Sequence, residues 1–121
     1  HYVHAAGVII NCGRVLLAQR PSKGLLGGMW EFPIGRVNAD PAKELTKVLN
    51  AAYRLKVKKK EALGVIQHAY THFKVTVHAF RCGCAPIPKN KNLKWVRVNE
   101  LDDYPMGKVD RQIAHKLLKL M

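Results

Sequence analysis

GMWEFPIGRV, Gly28 to Val37, runs through a turn at Asn38 to Asp40 into a helical stretch from Pro41 to about Leu55, and these residues decide the fold. Asp40 is a residue type that caps a helix start by accepting from unpaired backbone N–H groups. Pro41 suits the first helical position, where its missing N–H would be unpaired anyway. Leu45, Val48, Leu49 and Ala52 recur at the spacing of one buried helical face, which leaves Lys43, Lys47, Asn50 and Arg54 to water. Between Pro41 and Lys60 the only carboxylate is Glu44, flanked by Lys43 and Lys47. Magnesium wants a near-octahedral shell of oxygens, usually with one or two carboxylates. A lone glutamate beside two ammonium groups is a poor ligand set, so the stretch reads as an ordinary amphipathic helix and no metal site is expected.

Upstream, His4 to Asn11 and Arg14 to Arg20 are strand-like runs around Asn11-Cys12-Gly13, a hairpin in which Gly13 supplies the positive backbone angle. The loop Pro21 to Gly28 is rich in glycine and holds Lys23, but lacks the spacing of a phosphate-binding P-loop. Downstream, Glu61 to Ala69 and Lys74 to Cys82 read as strands, with Tyr70, Thr71, His72 and Phe73 at the turn between them. Ala85 to Asn92 is a proline and lysine loop, Leu93 to Val98 a strand, Asn99 to Asp103 a short capped turn, and Val109 to Met121 a helix. Its inward stripe is Val109, Ile113, Leu117 and Leu120 or Met121, with His115 facing solvent. Trp30 and Trp95 read as packing residues. Strands interrupted by one helix and closed by another give an α/β (α+β) sandwich with a mixed sheet and two main helices.

At 121 residues and 48% hydrophobic the chain can bury a real core, which excludes a disordered tail, and it is read as a single domain, residues 1 to 121. Because it starts at His1 and runs straight into an apolar strand, it is read as part of a longer protein. The net charge of +13, from 21 basic and 8 acidic residues, attracts polyanions and disfavours an unaided metal cation. Two runs concentrate it: Arg54, Lys56, Lys58, Lys59 and Lys60, then Lys89, Lys91, Lys94 and Arg97. They point to nucleic acid, although such runs are also what solvated loops look like. Cys12, Cys82 and Cys84 are an odd number of thiols without a disulfide framework. Cys82-Gly83-Cys84 suggests zinc, but a structural site wants four ligands in paired spacings, and His68 and His78 complete no such pattern; reduced thiols are the plainer reading. No stretch approaches the roughly 20 apolar residues of a membrane span, and no signal peptide is visible.

The segment around Gly28 to Val57 resembles the Nudix fold, whose signature is G-x5-E-x7-R-E-U-x-E-E-x-G-U, with U aliphatic. With Gly35 as the first glycine, the outer glutamate falls on Pro41, the arginine on Leu49, and the inner glutamates on Asn50, Tyr53 and Arg54. Three segments together resemble the C-terminal domain of adenine DNA glycosylases of the MutY family: Arg14 to Val37, Gln67 to Phe80, and Trp95 to Leu117. The first is shared with true Nudix hydrolases and is not decisive. The second is the specific one. In that family a Phe-Ser-His loop followed by an aromatic or apolar residue reaches the oxidised guanine opposite the target adenine. The matching residues are Tyr70, Thr71 and His72, then Phe73, with Tyr for Phe and Thr for Ser as departures.

The resemblance implies a lesion-recognition role for Tyr70, Thr71, His72 and Phe73. 8-Oxoguanine carries a proton on N7, where guanine has an acceptor, and Thr71 can accept from it. A hydroxyl can also donate to an ordinary N7, so strict discrimination requires the Thr71 proton to be committed elsewhere, to a backbone carbonyl or to His72. Tyr70 would supply a stacking face and His72 a contact to phosphate or base edge. Read without the resemblance, the same four residues are a hairpin loop whose Tyr and Phe pack on the sheet. Arg54, Lys56, Lys58, Lys59, Lys60, Lys89, Lys91 and Lys94 would hold phosphates without reading sequence. The implied partners are duplex DNA with an 8-oxoguanine:adenine pair and an N-terminal glycosylase domain of the same chain. That domain would carry the catalytic groups and an iron-sulfur cluster; no cofactor is expected here, this part alone is expected to be inactive, and the setting is a bacterial cytoplasm, at the nucleoid. Two rivals stand beside this reading. One is a divergent nucleoside-triphosphate pyrophosphatase using Glu31, Glu44 or Glu61 as ligands; the other is a general basic adaptor for RNA or protein.

Overall fold

Strand periodicity sorts the apolar residues of the first hairpin onto two faces, and each face acquires its own helix. The structure, a computed structural model, describes residues 1–24, 26–87 and 89–120, with the side chain of Lys59 left aside. In chain order the elements are β1 (Tyr2–Asn11), β2 (Arg14–Gln19), β3 (Trp30–Glu31), β4 (Ile34–Arg36), α1 (Pro41–Tyr53), β5 (Val57–Ala69), β6 (Lys74–Cys84), β7 (Leu93–Arg97), a 3-10 turn (Val98–Asp103) and α2 (Lys108–Lys119). β1 lies between β4, antiparallel to it, and β6, parallel to it, and β5 pairs with the other side of β6. β2 carries β3 and β7 and joins β1 at the hairpin, where Asn11 faces Arg14. Cys12 and Gly13 both have positive φ, 50° and 76°, as a two-residue hairpin turn matched to strand twist requires.

Ala6 and Val8 of β1, Val15 and Leu17 of β2, and Val75, Val77 and Ala79 of β6 pack with Val109, Ile113 and Leu117 of α2. Ala5 and Ile9, Leu16, and Phe80 and Cys82 pack on the opposite face with Leu45 and Leu49 of α1. The result is a mixed sheet between two helices, the sandwich expected from the sequence. Helix α1 sits close because two glycines clear its path. A Cβ at Gly7 would lie 2.7 Å from Leu49 Cδ1, and one at Gly35 2.6 Å from Val48 Cβ.

Both ends of α1 are fixed. Asp40 accepts from the N–H groups of Ala42 and Lys43 at 3.1 and 3.3 Å, and Glu44 reaches back to those of Asn38 and Ala39 at 3.1 and 2.7 Å. These last two bonds hold the Glu44 carboxyl below its ordinary pKa. At the other end Arg54 adopts φ 58°, and the Leu55 N–H turns back to the Leu49 carbonyl.

Several sequence expectations are corrected. The inward face of α1 is completed by half-buried Tyr53, not by Ala52, which is exposed; Tyr53 Oη lies 3.3 Å from both N and O of Ile34. The helix ends at Tyr53 rather than Leu55. The Lys58–Lys60 run is no loop, because β5 begins at Val57 and passes through it with a register shift before Glu61. Three consecutive lysines suit an edge strand, where charged side chains discourage further pairing. On α2 the stripe stops at Leu117; Leu120 is 62% exposed, and Met121 lies outside the described residues. His115 faces solvent, and Trp30 and Trp95 are half-buried packing residues, as expected.

Candidate nucleic-acid interface

The β5–β6 hairpin closes on four residues, with Ala69 facing Lys74 and the Tyr70 N–H donating to the Phe73 carbonyl at 2.8 Å. That closure turns the outer two side chains inward: the rings of Tyr70 and Phe73 stack with centroids 4.8 Å apart and planes 27° apart. Both are half-buried against the α2-side core, and burial raises the Tyr70 phenol above its ordinary pKa. Thr71 and His72 are left exposed at the tip. Among the described residues the Thr71 hydroxyl has no hydrogen-bond partner, so neither a carbonyl nor His72 holds its proton in the free chain.

The ring pair does not end at the loop. His68 meets Tyr70 edge-on at 4.5 Å, Tyr2 meets Phe73 edge-on at 5.6 Å, and the Arg36 guanidinium lies over Tyr2 at 4.4 Å from its centroid. Tyr2 and Arg36 reach one another because β4 pairs with β1 in a register that sets His4 opposite Arg36. Sequence reading missed Tyr2, His4 and Arg36. They lie 30 or more positions from the loop in the chain, and only the strand order β4-β1-β6-β5 brings them to it.

Beneath this rim is a cleft of about 540 Å³. Its lining includes buried Glu31 and Asp110 and half-buried His4. Arg20 pairs with Glu31 at 2.8 Å, yet burial outweighs that pairing and the Glu31 carboxyl stays above its ordinary pKa. Asp110, in the first turn of α2, accepts from the Phe32 N–H at 3.1 Å; burial, with the Glu31 charge adding to it, pushes its carboxyl up to about 7. His4 is held below its ordinary pKa by burial and then by Arg36 and Arg20, and its Nδ1 is buried without a partner among the described residues. Glu31, Glu44 and Glu61 belong to β3, α1 and β5, and among the described residues no group of three or more His, Cys, Asp or Glu side chains could hold a metal ion. Cys82 is buried, its thiol pushed up to about 12, and Cys84 is half-buried.

The basic residues separate. Lys58 faces Gly83 at the far end of the β5–β6 hairpin, roughly 30 Å from the loop counted along β6 at about 3.3 Å per strand residue. Arg54, Lys56 and Lys58 are exposed there, and the Lys59 side chain lies outside the described residues. Lys60 is already engaged, donating to the Ala42 carbonyl at 2.8 Å and to Thr46 Oγ1 at 3.1 Å. The second run is on the side of the cleft. Lys94 faces Leu17, its ammonium 5.2 Å from the Tyr104 ring, and Asn92 accepts from the Gln19 N–H beside Arg20; Lys89 and Lys91 are exposed. Among the described residues no helix is long and apolar enough to cross a membrane.

Comparison with known proteins agrees with the fold. Residues 5–116 match the family described as NUDIX domain. An adenine DNA glycosylase of Schizosaccharomyces pombe is 29% identical over 101 residues, 75% of this chain and 22% of that protein, so the chain spans about a fifth of this relative's length. An 8-oxo-dGTP diphosphatase of Proteus vulgaris is 34% identical over 79 residues, 63% of this chain and 70% of that protein. The C-terminal domain of mouse MUTYH, solved in complex with human PCNA, superposes with a TM-score of 0.77 at 22% identity, covering 98% of this chain and 88% of that one. With the family match spanning residues 5–116, this chain belongs to the NUDIX domain family.

Proposed function

We propose that this chain is the lesion-recognition domain of a longer adenine DNA glycosylase, reading 8-oxoguanine opposite adenine in duplex DNA. The observation that carries the proposal is the β5–β6 loop: Thr71 and His72 stand exposed on a base of two stacked rings, at the rim of a cleft in a strongly basic molecule. A hydroxyl so presented accepts from the N7–H that oxidation creates. The relatives support the theme from two sides, since glycosylases and an enzyme named for an oxidised guanine nucleotide both match. Thr71 without a partner for its proton is a permissive acceptor, so His72 and the DNA itself complete the discrimination.

What occupies the Nudix signature positions supports binding rather than hydrolysis. Pro41 starts α1, Leu49 is fully buried, Tyr53 is placed against the Ile34 backbone, and Arg54 ends the helix. Glu44 caps that helix. Base excision would then belong to another domain of the parent protein, joined to this one in a bacterial cytoplasm, with its iron-sulfur cluster there.

The test compares the affinity of the chain for duplexes containing 8-oxoguanine:adenine, guanine:adenine and guanine:cytosine. Tighter binding of the first is expected; equal affinity for all three would leave a general basic adaptor. The cleft and the Proteus relative favour one second reading, a nucleotide pyrophosphatase. Phosphate or pyrophosphate release from a nucleotide panel with magnesium decides it, and clear turnover would overturn the binding-domain reading.

A further inference from the structure

Resting on that reading, we infer that Arg36, held over the Tyr2 ring, takes a backbone phosphate of the strand whose base the Tyr70–Phe73 loop reads, and so sets the depth to which the loop enters. Among the described side chains, the first basic run supplies no free cation beside the loop. Lys58 is at the opposite end of the hairpin, and Lys60 is committed to α1. Arg36 is exposed, and among the described residues no carboxylate pairs with it. Its guanidinium carbon lies over the Tyr2 ring, 4.4 Å from the centroid. The ring face restrains the guanidinium, and a guanidinium so held offers N–H groups that can give two parallel hydrogen bonds to phosphate oxygens.

The coupling to the loop is physical. Tyr2 carries Arg36 on one side and touches Phe73 on the other at 5.6 Å, and Phe73 is stacked on Tyr70. Arg36 therefore stands two ring contacts from the base-reading residues, on a paired strand rather than a free loop. Lys74, first residue of β6, is also near, but its ammonium is a point charge on a flexible stem without a ring to orient it. A side chain held in place before binding loses less freedom on binding, which suits a contact that must set register.

The experiment places single neutral methylphosphonates along the lesion strand of an 8-oxoguanine:adenine duplex and along an undamaged duplex. Affinities are measured for the wild-type chain, Arg36→Gln, Arg36→Lys and Tyr2→Leu. For the wild type, one substitution close to the lesion should weaken binding about three- to tenfold, as loss of one phosphate contact does. For Arg36→Gln the same substitution should cost almost nothing, and the slope of log affinity against log salt should fall by about 1. Arg36→Lys should restore the salt slope but only part of the positional effect, and Tyr2→Leu should spread the effect over neighbouring phosphates. A methylphosphonate profile in Arg36→Gln identical to wild type overturns the inference. If the positional effect vanishes in Arg36→Gln while the wild type binds damaged and undamaged duplexes equally, the phosphate contact stands and lesion reading falls; absence of any duplex binding by the wild type overturns both.

Discussion

Arg54 holds φ at 58°, a conformation in which a side chain crowds the following carbonyl at a cost of about 1 kcal/mol, and which glycine adopts freely. Arg54→Gly should therefore raise the unfolding free energy by roughly 0.5 to 1 kcal/mol in urea titration while weakening DNA binding through the lost charge. A variant less stable than wild type would show that the arginine stem packs as well as caps. Thr71 is the opposite kind of residue, exposed and without structural duties. Thr71→Ala should leave the melting temperature unchanged and reduce preference for the oxidised duplex by roughly three- to tenfold, the worth of one hydrogen bond. Unchanged preference would remove Thr71 from the sensor. At this scale the sequence placed Tyr70, Thr71, His72 and Phe73 at the turn, and of its two readings of the rings the packed one matches the stacked, half-buried pair. Arg36 was not legible, because a lone arginine in a run of ten residues around a glycine carries no periodic signal; its importance arises from a ring placed 34 positions earlier.

Helix α1 is held by contacts from four directions: the Asp40 and Glu44 caps, the Lys60 staple, Tyr53 at Ile34, and the two glycines that let it lie against β1 and β4. Gly35 is the more restrictive of those glycines, because the atom a new Cβ would meet is the Cβ of Val48, close to the helix backbone and unable to swing aside. Gly35→Ala should cost roughly 1 to 3 kcal/mol, read as a lower midpoint in urea, and Gly35→Ala with Val48→Ala should recover part of it. No recovery would place the strain in the strand rather than against the helix. The start and cap of α1 were legible because Asp40 and Pro41 act locally. Its last turn was not: Ala52 and Tyr53 both fit an apolar stripe, and a polar partner on β4 decides between them. The start of β5 was hidden for a similar reason, since consecutive lysines on an edge strand and a solvated charge run look alike until the neighbouring strand is known.

For the whole molecule, the buried carboxyl of Asp110 ties stability to pH. An acid whose folded-state pKa lies above its unfolded one adds stability while it is protonated, fully below the unfolded value, and that contribution is lost as pH rises through the folded value. For Asp110 the window runs from its ordinary 3.8 to about 7. Burial outweighs the Phe32 hydrogen bond, and Asp110 should make the chain roughly 2 to 4 kcal/mol less stable at pH 8 than at pH 4, before other groups are counted. Asp110→Asn keeps an oxygen for the Phe32 N–H and removes the titration, so its stability curve should be flatter across that window; parallel curves would show that Asp110 titrates near its ordinary value. The sandwich was legible in the sequence because strand alternation and helix spacing report on neighbours whatever the topology. The cleft was not, being assembled from residues 2, 4, 31, 36, 70 and 110, which share no local pattern. The same packing constrains anyone who would graft the full Nudix signature onto this frame. Its arginine would enter at Leu49, fully buried against Gly7, and an unpaired guanidinium there would cost several kcal/mol. Its last two glutamates would remove Tyr53 from Ile34 and still ask position 54 for a left-handed turn. Point changes at Pro41, Leu49, Asn50, Tyr53, Arg54 and Lys56 would not by themselves seat that signature; the helix and both glycines beneath it would have to be redesigned together.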